Sequence, residues 1–168
     1  NTDADWNYGI GGRILVASRD ATESELAEDP TEEAFYGWGQ FSNVEFVGMG
    51  QLGYKSTVDP RYALTFWKTA GLTGMTRFVE GDSFVRGCSF HDGYYTQLGA
   101  FFTDSVEFTN NVIYHAVDSA IRLYASDYST VDNNTVVYMR HKQLYILDQG
   151  FSLNNSDYDP ALVPFGVQ

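Results

Sequence analysis

Three versions of one short phrase, VRGCSF at 85–90, FTNNVI at 108–113 and VDNNTV at 131–136, recur at a constant spacing of 23 residues. A fourth copy, FSNVEF at 41–46, precedes the first of these by 44 residues. Each copy begins and ends with an apolar residue and carries mostly polar or small residues between. A repeat of about 22 residues with strand-like contents predicts a parallel β-helix, in which each repeat forms one coil and equivalent side chains stack on neighbouring coils.

A second set of phrases lies between the copies of the first, so each coil contains at least two strands. Its members are YALTFW at 62–67, LGAFF at 98–102, AIRLY at 120–124 and QLYIL at 143–147. Only one member falls in the 44-residue interval, which favours one enlarged coil there, although two ordinary coils remain an alternative. Two Gly-rich polar stretches, 48–59 and 69–82, would be the long loop insertions of that coil, and such loops often carry function.

The apolar ends of the phrases predict two inward-facing columns of side chains. One column is Phe41, Val85, Phe108 and Val131, and the other is Phe46, Phe90, Ile113 and Val136. A turn position lies between them, and it is occupied by Val44, Cys88, Asn111 and Asn134. Asn tolerates the left-handed backbone of a tight turn, and stacked Asn side chains hydrogen-bond along a coil. We therefore predict a structural ladder through Asn111 and Asn134, with Cys88 as a small buried member.

Composition agrees with an all-β class, because the 168 residues include 12 Tyr, 12 Phe and 16 Gly, which suit aromatic stacks and tight turns. We predict one right-handed parallel β-helix (solenoid) segment over 1–168, the hand following from the crossover preference of parallel strands. Core coils would span 35–147, an acidic loop insertion 19–34, and a loop or the start of an excursion 148–168. The chain begins without Met and a solenoid needs capping coils, so we expect a segment of a larger protein.

The net charge of −12 argues against nucleic-acid binding, which needs a basic stripe that is not present. No apolar run is long enough to predict a membrane span in this segment. The stretch 19–34 carries seven acidic residues and is interpreted as a solvated surface excursion. The chain has no GxSxG, Walker, CxxC or HExxH pattern, so nucleotide and thiol chemistry have no support.

Two sequons would accept N-linked glycans if the chain is secreted. They are Asn133-Asn134-Thr135 and Asn154-Asn155-Ser156. Asn154 lies in a polar, loop-like stretch and is the favoured acceptor, while Asn133 precedes the ladder position and is expected to point outward.

Histidines and aspartates are the candidates for a cation or acid–base site. His91 and His115 are 24 residues apart, and with Asp92 and Asp118 they would form a small metal or acid–base cluster if neighbouring coils bring them together. Ordinary turn residues are the simpler interpretation of these four and of His141.

Asp104 and Asp127 are 23 residues apart, so they would lie one above the other and repel unless a cation such as calcium separates them. The alternative is that the two aspartates cap local turns. The sequence predicts no other cofactor.

A resemblance to a known family adds to this interpretation. The runs SNVEFVGMGQLGY at 42–54, DPRYALTFW at 59–67 and SFVRGCSFHDGYYTQLGAFFTDSVEFTNNVIYHAVDSAIRLY at 83–124 resemble the parallel β-helix region of the fibrocystin and fibrocystin-like family. The likeness covers about residues 35 to 140. It implies a very large, mostly extracellular cell-surface glycoprotein associated with cilia, stereocilia or cell coats.

The same region is similar to that of the cell-surface hyaluronidases, which makes a carbohydrate-active enzyme the main rival. In those relatives the phrase equivalent to YALTFW carries a His-x-His pair, and the matching positions here are Thr65 and Trp67. Neither side chain can take up and release a proton near neutral pH, or ligate a metal, as imidazole does. The resemblance therefore implies the fold without the enzymatic activity.

We expect a non-catalytic structural or adhesive module at the cell surface, with a ciliary or flagellar surface as one setting. Its partners would be other segments of the same protein, copies of itself in an oligomer or filament, glycans or surface glycoproteins. Two alternatives remain open: a hyaluronidase-like or lyase-like enzyme, and a glycan-binding module that uses Trp67, Tyr94 and Tyr95 in a groove.

Overall fold

A computed structural model describes residues 10–29, 34–35, 37–52, 60–69, 83–103, 105–140 and 144–147. The side chains of 20, 34, 35 and 144–147 are not described. Apart from one short helix, the regular elements of this part of the chain are strands, and their order along the chain repeats.

Each coil consists of three short strands, one more than the two that the phrases require. The first coil has β4 (Gln40–Ser42), β5 (Glu45–Val47) and β6 (Leu64–Trp67), and the second has β7 (Ser83–Arg86), β8 (Ser89–Gly93) and β9 (Leu98–Phe101). The third has β10 (Val106–Thr109), β11 (Val112–Ala116) and β12 (Ile121–Tyr124), and the fourth has β13 (Thr130–Asp132), β14 (Thr135–Val137) and β15 (Leu144–Leu147). The third strand arises because each first-set phrase forms two strands that meet at a bend.

Equivalent strands of successive coils pair in parallel and form three sheets. The first sheet is β4-β7-β10-β13, the second is β5-β8-β11-β14, and the third is β6-β9-β12-β15 with one further strand, β1 (Ile14–Ala17), beside β6. Parallel strands lie about 4.8 Å apart, so each coil advances the structure by that distance. The all-β parallel β-helix predicted from the repeat is confirmed.

The paired residues are those that the 23-residue spacing predicts. Phe41, Val85, Phe108 and Val131 are successive partners in the first sheet. Phe46, Phe90, Ile113 and Val136 are successive partners in the second. Val85, Phe90, Phe108 and Ile113 are completely buried in one apolar core. The Phe46 and Phe90 rings stack with centroids 4.4 Å apart and planes 9° apart.

The interval between 41 and 85 is a single enlarged coil. Strand β4 pairs directly with β7, and β5 pairs directly with β8, so no second coil lies between them. The long connections run from Val47 to Leu64 and from Trp67 to Ser83, and most of the predicted loops 48–59 and 69–82 lies outside the described residues.

The acidic stretch 19–34 is an insertion between β1 and β4, and its two ends are held together by a pair of short strands. Strands β2 (Arg19–Asp20) and β3 (Ala34–Phe35) pair in antiparallel fashion, and α1 (Glu23–Glu28) lies between them. Thr22 and Glu25 form a capping box at the start of α1, and Asp29 ends the helix just before Pro30. Because β1 pairs with β6, the coiled region begins at Ile14 and extends beyond the expected range 35–147.

Candidate functional site

The ladder position between the first and second strands holds two amides that bridge coils. The Asn111 Nδ2 group donates to Asn134 Oδ1 at 2.9 Å, and Asn111 Oδ1 accepts from the Cys88 backbone N–H at 2.9 Å. Asn134 Oδ1 in turn accepts from the Asn111 N–H at 3.0 Å. Each amide also donates to a strand carbonyl of the preceding coil, Val85 at 2.9 Å and Phe108 at 2.8 Å. The two side chains therefore satisfy backbone groups that the bend leaves unpaired.

We expected the left-handed backbone of this bend at the ladder position. It lies one residue earlier in the chain. Asn43, Gly87, Asn110 and Asn133 have φ values between 51° and 62°. The prediction that Asn111 and Asn134 themselves adopt this conformation is wrong. The left-handed residue turns the chain at the corner, so the following side chain points along the coil axis and reaches its neighbour.

Cys88 ends the amide ladder through its main chain. It is 2% exposed and packs in the apolar core, and its Sγ atom lies 3.5 Å from the Arg86 carbonyl oxygen. Its contribution to the ladder is the N–H group that Asn111 accepts from. The cysteine thus behaves as a small core residue.

Thr65 and Trp67, the positions of the hyaluronidase His-x-His pair, lie on the outer face of the third sheet. Thr65 is 1% exposed, and neither its Oγ1 atom nor the Trp67 Nε1 atom has a hydrogen-bond partner in the described part of the chain. The Tyr62 ring lies across this face, since a Cβ atom on Gly99 would be only 2.4 Å from the Tyr62 Cδ2 atom. Gly99 is the strand partner of Thr65, so an aromatic ring covers the sheet directly beside Thr65.

An aromatic cluster occupies the rest of that face. Tyr62 accepts a hydrogen bond from Arg122 Nη1 at 3.0 Å, and its ring lies 5.4 Å from the rings of Tyr95 and Phe101. Burial raises the pKa of Tyr62 and of Tyr95. Tyr95 is 2% exposed, so the alternative that it stacks on a glycan is wrong. Trp67 and Tyr94 are half-buried.

Four ionisable side chains from three coils form a chain on the outer face of the second sheet. The Asp92 carboxylate contacts two imidazoles. Its Oδ2 atom lies 2.9 Å from His91 Nδ1, and its Oδ1 atom lies 2.6 Å from His115 Nδ1. The other nitrogen of His91, Nε2, lies 3.0 Å from Glu45 Oε1. The chain Glu45–His91–Asp92–His115, here called the acid–imidazole chain, thus links β5, β8 and β11.

The acid–imidazole chain shifts the pKa values of two of its members. The hydrogen bonds that His91 donates to Asp92, the larger cause, and to Glu45 raise the pKa of His91. Hydrogen bonds from His115 and then His91 lower the pKa of Asp92. Both shifts favour the charged forms of His91 and Asp92, and the contact of His91 with Glu45 joins β8 to β5.

Only part of this cluster followed from the sequence. The sequence favoured ordinary turn residues, but His91, Asp92 and His115 do meet, as the alternative cluster requires. Asp118 is not part of it, since it accepts a hydrogen bond from Thr96 Oγ1 at 3.0 Å. His141 lies outside the described residues. Glu45 was missed. Its signal was the pairing of β5 with β8 at the 44-residue spacing, which sets Glu45 and Val47 beside Ser89 and His91.

Each imidazole of the acid–imidazole chain also contacts a tyrosine ring on the same face. The His91 and Tyr114 rings stack with centroids 5.3 Å apart, and the His115 and Tyr138 rings lie 5.5 Å apart. Tyr114 is 43% and Tyr138 is 74% exposed. The outer face of the second sheet therefore presents aromatic and ionisable groups to solvent.

The remaining predicted sites are placed as follows. Asp104 lies outside the described residues, and Asp127 is an exposed turn residue whose carbonyl accepts from the Ser105 N–H at 2.9 Å. Among the described residues, no group of three or more His, Cys, Asp or Glu side chains is arranged to hold a metal ion. Asn133 is exposed, and Asn154 lies outside the described residues. No helix in the described ranges has the length and apolarity to cross a membrane.

Comparison with known proteins agrees with this architecture. The family model for the right-handed β-helix region matches residues 40–160. Fibrocystin-L of Homo sapiens is 35% identical over 117 residues, which cover 70% of this chain and 2% of that protein. Fibrocystin-L of Mus musculus is 40% identical over 127 residues, which cover 76% of this chain and 3% of that protein.

The chain thus spans only a few hundredths of the length of these relatives. No solved structure gives a significant match. The chain has three parallel sheets formed by stacked coils, a matching family model over most of its length and these identities to fibrocystin-L. The chain therefore belongs to the right-handed β-helix family, as a fibrocystin-like β-helix region.

Proposed function

We propose that the chain is a non-catalytic structural and adhesive module of a large extracellular protein at the cell surface. The observation that supports this most directly is the unbroken pairing of equivalent strands through four coils in three sheets. Inner strands bond to neighbours on both sides, so bending the stack requires breaking backbone hydrogen bonds and core contacts together. Such a stack is a stiff spacer.

The three outer faces differ, and this difference suggests where a partner would bind. The first sheet carries the polar pair Arg86 and Glu107, whose Nε and Oε1 atoms are 2.8 Å apart. The Tyr62 cluster covers the third sheet along β6, β9 and β12. The second sheet instead leaves large apolar side chains more than a third exposed, namely Val47, Val112, Tyr114, Val137 and Tyr138. An apolar surface of this kind suits contact with another protein.

The proposed setting follows from similarity. Fibrocystin-L proteins are many times longer than this chain, which fits one module among many. Partners would be other segments of the same protein, further copies, or surface glycoproteins, and a ciliary or flagellar surface is one setting of this kind. Calcium is not required by the proposal.

A bead assay tests adhesion. Beads coated with the chain should cluster, and the double variant Val112→Glu and Val137→Glu should reduce clustering because it places charge on the exposed apolar face. Thr130→Glu is the matched control, since Thr130 is an exposed strand residue of the first sheet. Equal clustering by the double variant and the parent would contradict the proposed contact face, and no clustering by the parent would contradict adhesion between copies of this chain.

A carbohydrate-active enzyme is the second candidate, because the position of Asp92 between two imidazoles suits acid–base chemistry. Incubation with hyaluronan and with polygalacturonan separates the two candidates. The proposal expects polymer chains of unchanged length. Shortened chains that depend on His115, as tested with His115→Gln, would establish the enzyme instead.

A further inference from the structure

The corner between β13 and β14 carries two adjacent asparagines with opposite surroundings. Asn134 is committed to the ladder, where its Nδ2 group donates to the Phe108 and Asp132 carbonyls at 2.8 and 3.1 Å. Asn133 is exposed, in the left-handed conformation with φ of 51°. The corner thus turns one amide toward the coil axis and leaves the other on the surface.

The exposed residues at the equivalent corners, Asn43, Gly87, Asn110 and Asn133, form a second column outside the ladder, and one member of it has a glycan-acceptor sequence. Asn133 Nδ2 donates to Asn110 Oδ1 of the preceding coil, and Asn43 occupies the same corner of the first coil. The residues two places after Asn43, Asn110 and Asn133 are Glu45, Val112 and Thr135. Only the Asn133 corner therefore combines an exposed Asn with the Thr that N-glycosylation requires.

We propose that Asn133 is an N-glycosylation site and that its glycan covers the outer corner between the first and second sheets. The inference rests on the extracellular location proposed above. Transfer from a lipid-linked oligosaccharide diphosphate breaks the bond between the sugar C1 and the phosphate oxygen and forms a C1–Nδ2 bond. The Nδ2 group loses one proton, and the lipid diphosphate leaves.

The fold tolerates this modification for a structural reason. The glycosylated amide keeps one N–H group, which can still donate to Asn110 Oδ1. Thr135 is exposed at the start of β14, and its backbone N–H bonds to the Asn111 carbonyl at 2.8 Å independently of its side chain. A glycan at this corner keeps protein partners away from it and directs them to other faces.

The test uses the full chain behind a cleavable signal sequence, translated with microsomes, and scores only molecules whose signal sequence has been cleaved. Peptides are mapped by mass after a glycan-releasing amidase, which converts a glycosylated asparagine to aspartate. The parent and Thr135→Ser, which keeps the sequon, should carry a glycan at Asn133. Thr135→Val, which keeps the side-chain shape but removes the sequon, should lose it.

Ser156→Ala removes the second sequon, so that in this background a single glycan reports on Asn133 alone. An unmodified Asn133 peptide in the parent and in Thr135→Ser would overturn the inference. Since the signal sequence forces entry into the microsomes, that result would leave the proposed extracellular location and adhesion untouched.

Discussion

Asn111 and Asn134 are hydrogen-bonded side chain to side chain at 2.9 Å across one coil, and each also caps backbone groups of the coil before it. Asn111 is 1% exposed, so the groups it satisfies have no ready access to water. The consequence is that the ladder holds adjacent coils in register at a buried bend.

Replacing Asn111 by Ala should destabilise the fold strongly. The change leaves the Cys88 N–H and the Val85 carbonyl without the partners seen here. At roughly 1–3 kcal/mol for each of these two unpaired buried groups, we expect a loss of about 2–6 kcal/mol in the free energy of unfolding. Chemical denaturation measures it. Asn110→Gly is the control, because Asn110 is exposed and glycine keeps its left-handed backbone, and a comparable loss there would contradict the importance of the inner column.

Truncating Phe90 to Ala should cost about 3–5 kcal/mol, because the ring is completely buried and stacks on Phe46. Val112 lies on the neighbouring strand of the same sheet but is 46% exposed. We therefore expect Val112→Ala to lower the free energy of unfolding by less than about 1 kcal/mol. Thermal unfolding of the two variants compares them directly. Similar effects would show that the two strand faces are not buried as described.

Gly99→Ala should destabilise through the Tyr62 ring. A Cβ atom at Gly99 would lie 2.4 Å from Tyr62 Cδ2, so one of the two must move, at a cost of about 1–3 kcal/mol. In a Tyr62→Ala background the same substitution should cost much less. A double-mutant cycle measures this coupling, and additive effects would mean that Tyr62 does not lie on Gly99.

The acid–imidazole chain should make stability depend on pH in two directions. The pKa of His91 is raised, so its contribution is fully present below the unfolded value of about 6.5 and is lost as pH rises through the folded pKa. The pKa of Asp92 is lowered, so its contribution is present above its unfolded value of 3.8 and is lost as pH falls through the folded pKa. The contribution of this chain should therefore be greatest between about pH 4 and 6.5.

Asp92→Asn is the matched variant for this pH dependence, because Asn tolerates the left-handed φ of 53° while removing the charge. Melting temperatures from pH 5 to 8 should fall more for the parent than for the variant. The pH-dependent part of the free energy of unfolding should differ between parent and variant by no more than about 1 kcal/mol, since the Asp92 and Glu45 side chains are 38% and 68% exposed. Parallel pH profiles would contradict the role of Asp92.

Much of the fold could be predicted because the repeat itself states which residues are one coil apart. The 23-residue spacing pairs Phe108 with Val131 and Asn111 with Asn134, and both pairs are neighbours in the fold. The site was harder to predict. The 44-residue spacing sets Glu45 beside Ser89, and Tyr62 belongs to the repeated phrase YALTFW. Spacing does not specify side-chain direction, however, so it does not predict the diagonal contact of Glu45 with His91 or the position of the Tyr62 ring over Gly99.

By itself, the sequence determined the repeat, the composition of the inward columns and the family to which the chain belongs, because apolar residues at a fixed interval stack in only one register. Only the tertiary structure decided which residue of each corner is left-handed, which amide faces inward, and which carboxylates meet His91. The physical reason is that spacing specifies neighbours along the coil axis, whereas contacts around a corner depend on backbone angles and side-chain directions that the whole packed coil selects.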